Sequence, residues 1–151
     1  MKPQNSVKFI FPSKSVNEAF ARSAVASFAA QADPSVAELA DLKTAVSEAV
    51  TNCIVHAYRD EVGQITMTAS LYADGRLTVV IADRGCGIED VEKAMQPLFT
   101  TCNTGERAGM GFTIMESFSD RLKVYSKPGR GTRVVIRRKL SGRRGQIRKT
   151  A

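Results

Sequence analysis

SEAVTNCIVHAY, residues 47–58, is an apolar helical stretch that carries three polar residues in step. Glu48, Asn52 and His56 recur every four positions, while Val50, Cys53, Ile54 and Ala57 fill much of the rest. Four-residue spacing stacks side chains on one face of a helix. That face is either the solvated side of the helix or the wall of a site. The flanking sequence has to decide.

Upstream, Asp33-Pro34 predicts the start of this helix, with Asp as N-cap and Pro at the first helical position. Asp60 to Gly63 predicts its end, after about Tyr58. Residues 16–31 repeat Phe20, Ala24 and Phe28 at helical spacing, which leaves Arg22 off the apolar stripe and facing solvent. Residues 7–11 read as an edge strand ended by Pro12. Downstream, residues 65–72 and 77–82 read as strands joined by an Asp74-Gly75 turn. DRGCGI follows, then a short helix in EDVEKAMQ, stopped by Pro97, and a glycine-bearing loop, LFTTCNTGERAGMG. Helical spacing resumes in FTIMESFS, and strands at 122–126 and 132–136 flank the turn KPGRG. The pattern predicts an α+β fold: a two-layer sandwich of one mixed, mostly antiparallel sheet with helices on one face.

At 151 residues the chain suits a single domain with a full core. The net charge of +7 equals the seven basic residues from Arg137 onward, a region with no acid. The expected organisation is therefore a domain over residues 1–140 and a basic, disordered tail over 141–151. The tail has no interleaved aromatics to stack on bases, so no direct nucleic-acid partner is expected. No apolar run is long enough for a membrane span, and the N-terminus lacks the apolar stretch of a secretory signal. A cytoplasmic protein is expected. Cys53, Cys86 and Cys102 show no metal-ligand spacing and read as free thiols, with Cys53 a small core residue.

Three stretches bear on chemistry. Glu48 and Asn52, one helical turn apart, suit a proton acceptor beside an amide oxygen that ligates a hard cation such as Mg²⁺. By themselves they read more readily as a solvated face. Asp83-x-Gly85-x-Gly87 follows an apolar strand, where an Asp can accept from an amino group and glycines admit a ligand to the backbone. A plain Asp/Gly turn explains it at least as well. Gly105-Glu-Arg-Ala-Gly109-Met-Gly111 opens a helix, where freed N–H groups attract phosphate and Arg107 offsets its charge. The alternative is a linker with a helix cap. None of the three is a P-loop or a Rossmann fingerprint.

Taken together and in this order, with the Gly131-Thr132 strand start, these stretches resemble the GHKL ATPase family of gyrase, histidine kinases and MutL. The resemblance runs from about Val7 to Lys139. It implies a helix layer on a sheet with ATP and Mg²⁺ between them. It assigns Asn52 to Mg²⁺, Glu48 to general base catalysis, and Asp83, Gly85, Gly87 and Thr132 to the adenine pocket. Thr100, Thr101, Gly109 and Gly111 then fall to the nucleotide and its phosphates, and Arg107 to the transferring group. FARSAVASF, QPLFTT and ERAGMGFTIMESF further resemble one branch, the anti-sigma F factors of endospore-forming bacteria. That branch implies a homodimeric serine kinase. It binds sigma F when loaded with ATP and phosphorylates an anti-anti-sigma partner, and Arg22 contacts the partners. A general-stress anti-sigma kinase and a non-catalytic, ATP-gated sigma-binding module stay open beside it. His56 reads as structural support.

Overall fold

A computed structural model describes residues 1–96 and 111–142. The strands are β1 (Asn5–Pro12), β2 (Gln64–Leu71), β3 (Arg76–Asp83), β4 (Arg121–Lys127) and β5 (Gly131–Lys139). The helices are α1 (Val16–Ala29), α2 (Val36–Asn52), α3 (Val91–Ala94) and α4 (Gly111–Ser117). They build a five-stranded sheet in the order β1-β2-β3-β5-β4. Among the described residues every pairing is antiparallel, where a mixed, mostly antiparallel sheet was expected.

Alternation along the strands explains the layer. Ile65, Met67, Ala69 and Leu71 of β2 and Leu77, Val79 and Ile81 of β3 are fully buried, while the residues between them are half-buried. The buried set faces Leu42, Val46 and Val50 of α2 in one continuous core. Each of the larger side chains among them contributes on the order of 1.5–3 kcal/mol. Helix α2 lies between α1 and α4. The opposite sheet face carries Lys8, Thr66, Thr68, Thr78, Arg133 and Arg137, as period-two patterning requires. Strand β5 inserts between β3 and β4, which brings Gly131 and Thr132 beside the end of β3.

Three local expectations are corrected. Helix α2 starts two residues later than Asp33-Pro34 suggested. Ser35 is its N-cap: Ser35 Oγ accepts from Glu38 N–H, and Ser35 N–H donates to the Glu38 carboxylate at 2.9 Å. Asp33 instead sits in the left-handed region, φ 53°, and closes a 3₁₀ turn after α1. The buried stripe of α1 is Ala21, Val25 and Ala29, one position along from Phe20, Ala24 and Phe28. These small residues let α1 lie close to α2, while Phe20 stays 51% exposed and meets Phe9 and Phe11 edge-on. Helix α2 also stops being regular at Asn52. From Cys53 to Ala57 the backbone widens into a π-turn, in which Tyr58 N–H donates to the Cys53 carbonyl.

The Asp74-Gly75 turn forms as expected, with Gly75 at φ 91°. Arg137, Arg138 and Lys139, counted above with the basic end, are part of β5. Arg138 ion-pairs with Asp41 at 2.9 Å and donates to the Phe118 carbonyl. Beyond the strand, Leu140 is buried, and Ser141 donates to Glu38 from both its N–H and its hydroxyl.

Candidate functional site

The site is built where the ends of α2 and β3 and the starts of β5 and α4 converge. Asp83 ends β3 with a half-buried carboxylate. Its Oδ1 accepts from Gly85 N–H at 2.9 Å and from Thr132 N–H at 3.2 Å. Its Oδ2 accepts from the Cys53 thiol at 3.4 Å. Burial raises the Asp83 pKa above the usual carboxylate value, and the three donors offset only part of that. The Cys53 thiol is pushed well up by burial and by the Asp83 charge, so it stays protonated.

The π-turn positions the loop after Asp83. The widened backbone presents the Ala57 carbonyl to Cys86 N–H at 3.1 Å. A β-carbon on Gly85 would lie 2.4 Å from that same oxygen, so only glycine passes there. Gly87 turns at φ 75° against the Lys127 carbonyl. Tyr58, buried at the end of the turn, fastens the arrangement. Its hydroxyl accepts from Arg84 N–H at 2.6 Å and donates to the Gln64 carbonyl at 2.7 Å. Ser126 closes the far side: it accepts from Ile88 N–H at 2.7 Å, donates to the Gly131 carbonyl, and lies 2.8 Å from Thr132 Oγ1.

Glu48 lies one turn before Asn52 on α2 and is only 4% exposed, rare for a carboxylate. Asn52 is half-buried, and its amide abuts the start of α4: a β-carbon on Gly111 would sit 3.1 Å from both Nδ2 and Oδ1. Among the described residues no group of three or more His, Cys, Asp or Glu is gathered as a metal cage. One amide oxygen at a glycine-opened helix start nevertheless fits Mg²⁺. That ion characteristically takes few protein ligands and completes its shell with phosphate and water.

The structure thus brings together Asp83, Gly85, Gly87 and Thr132 as one cluster, and Glu48, Asn52 and Gly111 as a second. Cys53 joins the two. Thr100, Thr101, Arg107 and Gly109 lie outside the described residues, as do Cys102 and the glycine loop before Gly111. Arg22 stands apart on α1. It is not simply solvated, because Nη1 pairs with Glu18 at 2.6 Å, and Glu18 also accepts from the Ser47 hydroxyl on α2. Cys53, Tyr58 and Ser126 were not among the expected site residues. Only Cys53 carried a signal, its place directly after Asn52.

Residues 11–138 match the model of the histidine kinase-like ATPase domain. The anti-sigma F factor of Caldanaerobacter subterraneus subsp. tengcongensis is 59% identical over 89% of this chain and 93% of that protein. The chain belongs to the anti-sigma F factor family. The Clostridium acetobutylicum anti-sigma F factor is 49% identical over 91% of this chain and 96% of its own length. The crystal structure of the RsbU and RsbW domains of a Mycobacterium tuberculosis protein shares the fold at TM-score 0.66 and 19% identity. That likeness covers 91% of this chain and 32% of the mycobacterial one.

Membership in the anti-sigma F factor family gives the two clusters a common frame. The chain is an anti-sigma factor on a GHKL kinase fold, and its ATPase domain implies ATP binding. Among the described residues no helix is long and apolar enough to cross a membrane.

Proposed function

We propose that this protein is an ATP-dependent anti-sigma factor and protein-serine kinase. As a homodimer loaded with ATP it binds sigma F and keeps it from RNA polymerase. It then phosphorylates a serine of an anti-anti-sigma partner. The observation that carries this reading is the pairing of a buried Glu48 with Asn52 one turn away, facing a glycine-opened helix and joined through Cys53 to the Asp83 cluster.

In this reading each residue has a separate task. Asp83 accepts the adenine amino group, Gly85 and Gly87 shape the pocket wall, and Thr132 supports the Asp83 carboxylate through its N–H. Asn52 holds Mg²⁺ by its amide oxygen, which supplies charge neutralisation at the phosphates when bound. Gly109 and Gly111 free backbone N–H groups for the phosphates, and Thr100 and Thr101 contact the nucleotide. Glu48 takes the proton of the partner's serine hydroxyl as its oxygen bonds to the γ-phosphorus. The bond to the β,γ-bridging oxygen breaks and ADP leaves. Arg107 offsets the charge spread over the transferring group. Arg22 contacts the protein partners.

The 59% identity to an anti-sigma F factor favours sigma F over a general-stress sigma factor, since the RsbW likeness is one of fold. The presence of Glu48 favours a kinase over a module that binds ATP without transferring phosphate. The test is incubation with labelled ATP and candidate anti-anti-sigma proteins, followed by location of the label. Phosphoserine on one candidate supports the reading, and ATP binding with no labelled partner overturns it.

A further inference from the structure

The two oxygens of Asp83 are held differently. Oδ1 accepts two backbone N–H groups, those of Gly85 and Thr132. A carboxylate oxygen offers about two lone-pair positions, so the fold itself fills Oδ1. Oδ2 accepts the Cys53 thiol, and its second lone pair is left for a ligand. Cys53 is 4% exposed and begins the π-turn, with its backbone fixed by α2 on one side and by the Tyr58 hydrogen bond on the other. Its thiol therefore approaches Oδ2 from one fixed direction.

We infer that Cys53 is a positioning residue for purine recognition: its thiol fixes the rotation of the Asp83 carboxylate, so that the free lone pair of Oδ2 meets the exocyclic amino group of the base. The inference rests on the reading of Asp83 as the adenine acceptor. Sulfur is a weak donor, so it orients Oδ2 without drawing off much of its capacity to accept. An alanine here leaves Oδ2 with both positions open and the carboxylate held only through Oδ1. A serine keeps a donor in place. The effect of Cys53 is thus confined to ligands that bring an amino group. A purine with hydrogen at that carbon has nothing to give Oδ2.

The test is calorimetric titration of the full chain with ATP and with purine riboside 5′-triphosphate, which lacks the amino group. Cys53→Ala is expected to weaken ATP about 3- to 10-fold, the worth of one ordinary hydrogen bond, and to leave the analogue's affinity unchanged. Cys53→Ser is expected to keep the preference for ATP. An equal loss for both ligands in Cys53→Ala makes Cys53 a packing residue and overturns the inference. Asp83→Asn separates the two readings. If it abolishes the preference while Cys53→Ala leaves it intact, only the Cys53 inference fails. If Asp83→Asn keeps the preference, the assignment of Asp83 fails and takes the inference with it. An infrared measurement needs no alanine variant. The wild-type S–H stretching band that is missing from Cys53→Ser is expected to shift on adding ATP and not on adding the analogue. An unmoved band contradicts the inference.

Discussion

Gly85 rests against Ala57 so closely that a β-carbon would lie 2.4 Å from the Ala57 carbonyl oxygen, and the next amide, Cys86 N–H, donates to that same oxygen. The loop after Asp83 is therefore docked on the π-turn of α2. A methyl group at residue 85 has backbone as its obstacle, which a rotamer change cannot relieve. Gly85→Ala is expected to cost about 1–3 kcal/mol of stability in urea unfolding. It is also expected to weaken ATP in calorimetry, because the loop carrying Gly85 and Gly87 must move.

Tyr58 fastens the other end of that loop. Its hydroxyl serves Arg84 N–H and the Gln64 carbonyl, and Tyr58→Phe removes the partner of both. The ring still fills its place beside Gly63, so packing is kept. We expect a loss of about 1–3 kcal/mol, with nucleotide affinity reduced and the far-ultraviolet circular dichroism unchanged. A fully stable Tyr58→Phe would contradict the fastening role.

His56 gives a pH signature. Burial, and then the Arg59 charge, lower its pKa from the usual 6.5. In that range the unfolded chain binds the proton before the folded one does, so stability falls as pH drops below about 6.5 toward the folded value. Denaturation midpoints measured across this window are expected to decline in the wild type and to decline less in His56→Asn.

Glu38 adds to the loss of stability at low pH. Burial raises its pKa, but the hydrogen bonds from Ser141 and Ser35 outweigh it and the net shift is below 4.5. Its contribution is present above the unfolded value and is lost as pH falls through the folded one. Glu38→Gln is expected to flatten acid unfolding in this range. It should also weaken the anchorage of Ser141, seen as faster amide exchange at Leu140 and Ser141.

The sheet was legible because its strands alternate and because Asp74-Gly75 marks a hairpin. The Asp83, Gly85, Gly87 and Thr132 grouping was legible only through the family resemblance, since DRGCG alone reads equally well as a plain turn. What escaped was set by tertiary contact. Asp33-Pro34 and Ser35-x-x-Glu38 are both helix-start signals, and the reciprocal hydrogen bonds of Ser35 and Glu38 decide between them. The α1 stripe slipped by one position because alanine, the least conspicuous apolar residue, makes the close contact, while Phe20 covers the edge strand. Arg22 was read as facing solvent; its pairing with Glu18 sits at i,i+4 spacing, but the Ser47 hydroxyl that also reaches Glu18 comes from another helix. The π-turn, and with it the roles of Cys53 and Tyr58, leaves no mark in residue spacing. It goes with a tertiary contact, the Ala57 carbonyl accepting from Cys86 N–H.

The central claim is that Glu48 is the base of a phosphoryl transfer and not merely a buried carboxylate of α2. Glu48→Gln is nearly isosteric and removes the proton acceptor while keeping the site's volume. The decisive measurement is the single-turnover rate of phosphate transfer from ATP to the serine of the anti-anti-sigma partner, with ATP affinity measured on the same samples. The account predicts near wild-type ATP binding and a rate reduced about 10²- to 10⁴-fold. Unchanged transfer by Glu48→Gln, at unchanged ATP affinity, would contradict it.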